Sequence, residues 1–189
     1  GGAFQIGYIC PIEVNIYFEG CKFLENSAYR HGGAIAIQTL GNVEIKNCEF
    51  ISNTADSITS SNLLENHFTL KKHGRGGAIY INPTYINGMS LCPSDNLYMS
   101  NVLIENCNFT SNKAHDGYAI YIEGEEKGTT FDFHGNNFID NYNLETLKNN
   151  LSIIASEICN EDLSYNNIVS NNQFLNHKDG IKIDVLEFQ

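Results

Sequence analysis

Nowhere in this 189-residue chain do eighteen apolar residues follow one another, so no segment has the makings of a membrane-spanning helix. Basic residues are scarce: 11 Lys and Arg stand against 22 Asp and Glu, for a formal charge of −11. A balance this acidic argues against nucleic acid, or an anionic membrane surface, as the main partner. Trp is absent and Pro is held to three, while Tyr, Phe, Ile and Asn are frequent. That composition suits strands joined by Asn- and Gly-rich turns rather than helices. An initiator Met and a signal-peptide layout are missing as well. The chain opens on Gly1-Gly2-Ala3, in the middle of a repeat, and is read as a piece of a longer protein. Its length suits one domain over 1–189 with a long, thin core.

Repetition is the dominant signal. An eight-residue pattern recurs as Ile16-x-Phe18-x-Gly20-Cys21-x-Phe23, Val43-x-Ile45-x-Asn47-Cys48-x-Phe50, Val102-x-Ile104-x-Asn106-Cys107-x-Phe109 and Phe131-x-Phe133-x-Gly135-Asn136-x-Phe138. Three residues beyond each last Phe stands Asn26, Asn53, Asn112 or Asn141. A weaker fifth copy, Val169-x-Asn171-Asn172-x-Phe174, has His177 in place of that Asn. Between these lie Gly2-Ala3-Phe4-x-Ile6, Gly33-Ala34-Ile35-x-Ile37, Gly77-Ala78-Ile79-x-Ile81 and Tyr118-Ala119-Ile120-x-Ile122, with Gly180-Ile181-x-Ile183 as a partial last version. Apolar residues at every second position are the strand period. That parity breaks between Ile45 and Cys48, and again between Ile104 and Cys107. A bend at the intervening Asn or Gly keeps both strands facing one interior.

Phe23 to Phe50 is 27 residues and Phe109 to Phe138 is 29. Three short strands and three turns need about that many residues, and stacking such units gives an all-β parallel β-helix of about five to six rungs. The Leu-x-x-Leu-x-Leu signature of leucine-rich repeats is missing, and a sandwich would need hairpin turns. Stacking predicts three ladders: Phe23, Phe50, Phe109, Phe138 and Phe174 inside; Asn26, Asn53, Asn112 and Asn141 at a turn, each amide bonding to the rung above or below; and Cys21, Cys48 and Cys107, buried, the last continued by Asn136 and Asn172. Insertions over about 56–74 and 82–100, with a shorter one from Leu144 to Asn150, leave the coil at turns, where solenoids carry their specificity.

Gly32-Gly33-Ala34-Ile35 with Phe23-x-x-Asn26, and Gly76-Gly77-Ala78-Ile79 with Phe50-x-x-Asn53, resemble the paired repeats of the polymorphic outer membrane protein family, which includes chlamydial and some protist surface proteins. The resemblance covers roughly residues 1–141 and the rest more faintly. It implies a right-handed parallel β-helix displayed at a cell surface or secreted, with adhesion as its usual proposed role.

No catalytic residue, cofactor or metal site is expected. Cys-x-x-Cys and Cys/His pairings are missing, and a Cys10–Cys92 disulfide would require the loop after Ile81 to fold back. His31, His73 and His115 precede Gly-Ala strands at unequal offsets and read as polar turn residues. Glu123, Glu125, Glu126 and Asp132, the densest acidic group, read as a solvated edge. Lys71, Lys72, His73 and Arg75 end the first insertion, where they either steer an anionic partner such as a glycan or solubilise an apolar loop. Tyr85, Met89, Tyr98 and Met99 in the second suit a contact surface or a local cover for the coil. Asn108-Phe-Thr110 and Asn150-Leu-Ser152 are glycan acceptors if a eukaryote secretes the chain, with Asn108 pointing outward. The function expected is an adhesin-like surface rod that meets a protein or glycan through its loops, and that packs end to end with the rest of its chain. A carbohydrate-active enzyme on the same coil would need clustered carboxylates on neighbouring rungs. A filament-forming structural protein would show reduced cysteines.

Overall fold

A computed structural model of the chain describes residues 1–7, 14–38, 41–56, 74–82, 99–123, 129–144, 154–156, 170–176 and 183–185. These residues form four parallel sheets of six, four, five and four strands, each ordered along the chain. One full turn shows the plan: Ile35–Ile37, Gly41–Lys46, Glu49–Ile51 and Thr54–Ala55, then Ile79–Ile81 back beside Ile35–Ile37. The architecture is a parallel β-helix. Spacing alone predicts three strands per rung, whereas the structure has four. The extra sheet pairs Ser27–Ala28 with Thr54–Ala55, and Lys113–Ala114 with both Thr54–Ala55 and Tyr142–Asn143. Its signal was an Ala two residues beyond Asn26, Asn53 and Asn112, too short a run to read as a strand.

Register follows the repeats. Phe23 pairs with Phe50, Phe50 with Phe109, Phe109 with Phe138 and Phe138 with Phe174. Their rings stack at 4.8–4.9 Å between centroids, with interplanar angles of 4–12°. The Gly-Ala-Ile strands also align, but one rung escaped the sequence reading: Ile154–Ser156 lies between Ile120–Ile122 and Ile183–Val185. Ile183 consequently pairs with Ile154 and takes the first Ile position of the unit, two residues from the register that Gly180-Ile181-x-Ile183 suggests.

Each corner has a backbone cause. Gly20, Asn47, Asn106 and Gly135, the residues at the parity break, have φ of 62°, 53°, 53° and 68°. A left-handed residue there turns the chain while keeping apolar side chains inside. A second corner, unforeseen, puts Glu25, Ser52, Ser111, Asp140 and Asn176 at φ of 51–62°. Glu and Ser carry little left-handed preference of their own; the asparagine ladder that follows holds them there.

In that ladder Asn26, Asn53 and Asn112 each donate Nδ2 to Oδ1 of the next asparagine at 2.9–3.0 Å, and their backbone N–H to the same oxygen at 3.0 Å. The second Nδ2 hydrogen of Asn53, Asn112 and Asn141 goes back to the carbonyl of Phe23, Phe50 and Phe109. Asn53, Asn112 and Asn141 are fully buried, so these bonds replace water completely. Gly33 and Gly77 are forced by closeness: a Cβ on either would sit 2.0 Å from a carbonyl oxygen of the next rung, that of Gly77 or Tyr118.

Asn112→Ala should therefore destabilise the coil by about 3 kcal/mol, because it strands the Asn53 amide and the Phe50 carbonyl inside. Asn26→Ala, at a half-buried end of the ladder, should cost about 1 kcal/mol. Urea midpoints of the two variants check the order; equal losses would contradict the ladder.

Candidate functional site

With the interior committed to ladders, chemistry that meets a partner must lie on the outer faces. The middle residue of the first four Gly-Ala-Ile strands points outward, and in register these are Gln5, Ala36, Tyr80 and Tyr121. Tyr80 and Tyr121 are nevertheless buried, and with Ala36 they form an apolar cluster separate from the core. Their rings lie 6.2 Å apart. The His31 ring stacks on Tyr80 at 4.4 Å, and the Arg75 guanidinium sits 4.7 Å over Tyr121. Glu123, at the end of the Tyr121 strand, accepts from the Tyr80 hydroxyl and pairs with Arg75 at 3.0 Å. His31, Arg75 and Asp116 occupy one bridge position on three rungs, so the cluster is built by stacking as the core is.

Two expectations are corrected here. Arg75 is not a loop cation held out to an anionic partner; its side chain is 18% exposed and bound to Glu123 and Tyr121. Glu123 is not part of a solvated acidic edge, because its carboxylate joins Arg75 to Tyr80. The signal was available in Tyr80 and Tyr121 at the same position of two repeats. Lys71, Lys72, His73, Tyr85, Met89, Tyr98, Glu125, Glu126 and Asn150 lie outside the described residues, as do Cys10, Cys92 and Cys159. Met99 belongs to a strand, Met99–Glu105, and so to the coil. Asn108 lies between buried Cys107 and Phe109, is half-buried, and accepts from Asn137 Nδ2 at 2.8 Å.

A shallow groove of about 470 Å³ borders the cluster on its Gly1 side. Gln5, Tyr29, Arg30, His31, Gln38 and Tyr80 contribute to its lining. Tyr29 is 60% exposed. Ring faces, amides and a guanidinium together offer stacking and hydrogen bonds to a polar, ring-shaped ligand or to a peptide.

The second sheet carries charge instead. Glu19, Lys46, Glu105 and His134 pair in succession, so sign alternates along its outer face when His134 is protonated. Lys46 also meets Glu44 at 2.9 Å. His134 holds Asp132 through Nδ1 at 2.7 Å and Glu105 through Nε2 at 3.3 Å. The Asp132 hydrogen bond, with Glu105 adding to it, raises the His134 pKa above its usual value of 6.5. Inside the corner, Cys48 is pulled down to about 6 by the thiol of Cys107 and the N–H of Cys21, against the effect of burial. Cys107 is pushed up by Cys48 and by burial, and keeps its proton. Among the described residues no group of three or more His, Cys, Asp or Glu is arranged to hold a metal ion.

Residues 47–82 match the family model of the Chlamydia polymorphic membrane protein repeat. The chain carries this family's repeat. The match runs from the Asn47 corner through Cys48, Phe50 and Asn53, across the first insertion, to the strand Ile79–Ile81. It thus contains one whole passage from Phe-x-x-Asn to Gly-Gly-Ala-Ile. By its name the matched repeat is that of a membrane protein family of Chlamydia. No curated protein and no solved structure matches the chain.

Two measurements probe this face. Arg75→Ala and Glu123→Gln should each destabilise the chain, and a double-mutant cycle should give a coupling of about 1 kcal/mol; additive losses would show that the pair acts independently. His134 has its folded pKa above the unfolded one, so its contribution is complete below about pH 6.5 and is lost as pH rises through the folded value. Denaturant midpoints should fall as pH rises across that window in the native chain, and His134→Gln should remove that component of the fall.

Proposed function

We propose that the chain is a stiff, non-enzymatic segment of a surface protein that binds a protein or glycan partner, in the manner of an adhesin. The polymorphic membrane protein repeat supports the surface setting. Stiffness follows from the ladders, since each rung is tied to the next by sheet bonds, stacked rings and asparagine side chains. The observation that carries the binding role is the groove beside Tyr80: exposed Tyr29 and Arg30 frame it, while His31 and Tyr80 are held in place by stacking. Such a surface is pre-organised, and little ordering entropy is lost on binding. End-to-end packing of the coil with further rungs of its own chain would place the groove along a continuous rod.

An enzyme on this coil is less well supported. Glu123 is engaged by Arg75 and Tyr80, and Asp132 by His134, so among the described residues these two carboxylates are already taken up by protein partners rather than set to face a common substrate position.

Beads coated with the chain should adhere to cultured animal cells well above albumin-coated beads. Replacing Tyr29 and Arg30 together by Ala should reduce adhesion about tenfold without changing the circular dichroism. Periodate treatment of the cells would identify a glycan receptor, and protease treatment a protein. Adhesion no greater than that of albumin beads would remove the proposal.

A further inference from the structure

Cys21, Cys48 and Cys107 stand at the same corner on three successive rungs, and all three are free thiols. Backbone bonds hold the corner together. The Glu49 N–H donates to the Cys21 carbonyl at 2.8 Å, and the Asn108 N–H to the Cys48 carbonyl at 2.9 Å. Neighbouring parallel strands lie roughly 4.8 Å apart, inside the roughly 4.4–6.8 Å between Cα atoms that a disulfide spans. The Cys48 and Cys107 sulfurs lean toward the preceding rung: the Cys21 N–H donates to Cys48 Sγ at 3.4 Å, and the Cys48 N–H to Cys107 Sγ at 3.4 Å.

The three differ in two ways that matter for reaction. Cys48 and Cys107 are fully buried, while Cys21 is partly exposed, so an oxidant in solution reaches Cys21 first. The contacts of Cys48 with Cys107 and Cys21 lower its pKa against the effect of burial, while contact with Cys48 and burial raise that of Cys107. The thiolate is the attacking form. One accessible thiol therefore lies one rung from a buried thiol whose sulfur is turned toward it and whose neighbours favour its ionised form, with a third thiol behind.

We propose that Cys21 and Cys48 form a reversible thiol–disulfide site, oxidised by low-molecular-weight disulfides of the surrounding medium. The Cys21 thiolate attacks one sulfur of the small disulfide and releases one small thiolate. The Cys48 thiolate then attacks the Cys21 sulfur of the mixed disulfide and releases the other. Two protein S–H bonds become one S–S bond, the small disulfide is reduced to two thiols, and the protein's two protons end on the leaving sulfurs. In-register neighbours hold their Cβ atoms farther apart than the roughly 3.8 Å typical of a disulfide. The bond is thus strained and readily reduced again. Cys107 remains a thiol. The site is independent of whether the groove binds a partner.

Incubating the folded chain with oxidised glutathione, alkylating the remaining thiols and mapping peptides tests this. A Cys21–Cys48 link is expected, with Cys107 alkylated only after unfolding and the link reversed by dithiothreitol. Cys48→Ala should trap glutathione on Cys21, and Cys21→Ala should slow loss of the Cys48 thiol at least about tenfold. Circular dichroism checks that each variant folds, and Cys48→Ser serves if Cys48→Ala does not. A lasting glutathione adduct on Cys21 of the unsubstituted chain, a Cys48–Cys107 link, a link from Cys21 to Cys10, Cys92 or Cys159, or an unreactive Cys21 would each overturn the proposal.

Discussion

A rung of four short strands has no interior of its own; its inward side chains are covered only when the rungs above and below supply the other half. Stacking at one-strand spacing therefore governs which residues are allowed at each position. Phe on Phe satisfies it by ring overlap at 4.8–4.9 Å. Asn on Asn satisfies it by using the whole side-chain amide, carbonyl to the preceding rung's N–H groups and NH2 to both neighbours. The close approach of Gly77 to Tyr118 and of Gly33 to Gly77 is the same constraint acting on the backbone. Loss of register by one residue would break all of these together, since alternate side chains would exchange inside for outside.

This constraint explains what was legible in the sequence. Positions that must match a copy of themselves recur visibly, so the Phe, Asn and Gly-Ala-Ile ladders, and the bends at Asn47 and Asn106, could be read directly. The fourth sheet could not, because two-residue strands such as Ser27–Ala28 and Thr54–Ala55 leave almost no periodic trace. The rung at Ile154–Ser156 was hidden for another reason: it lacks the Gly-Ala pair, and only its parallel pairing with Ile120–Ile122 reveals it. Reading the acidic and basic residues by cluster rather than by repeat position separated Arg75 from Glu123, which the coil brings together. In a solenoid, the meaningful neighbours are one rung away, about thirty residues in sequence.

The outer faces show how a repetitive scaffold acquires local character. On the Gly-Ala-Ile sheet, the outward position changes from Gln5 and Ala36 to Tyr80 and Tyr121, and the small-to-large step leaves a groove where the tyrosines end. On the next sheet, alternating Glu19, Lys46, Glu105 and His134 keep a long parallel face from meeting like charge with like. Both arrangements cost the interior nothing, because parity assigns them to the outer faces. A coil built from such repeats can thus vary what it presents while keeping its interior.

The two inner ladders also share a sense of travel. Each asparagine, and each Cys or Asn at the neighbouring corner, gives its backbone N–H to the side chain that comes later in the chain. The coil consequently has a grain, as timber does: its two ends are chemically unlike, one offering side-chain acceptors and the other amide hydrogens. Flipping a neighbouring unit would set oxygen against oxygen, so only units laid in the same sense can join.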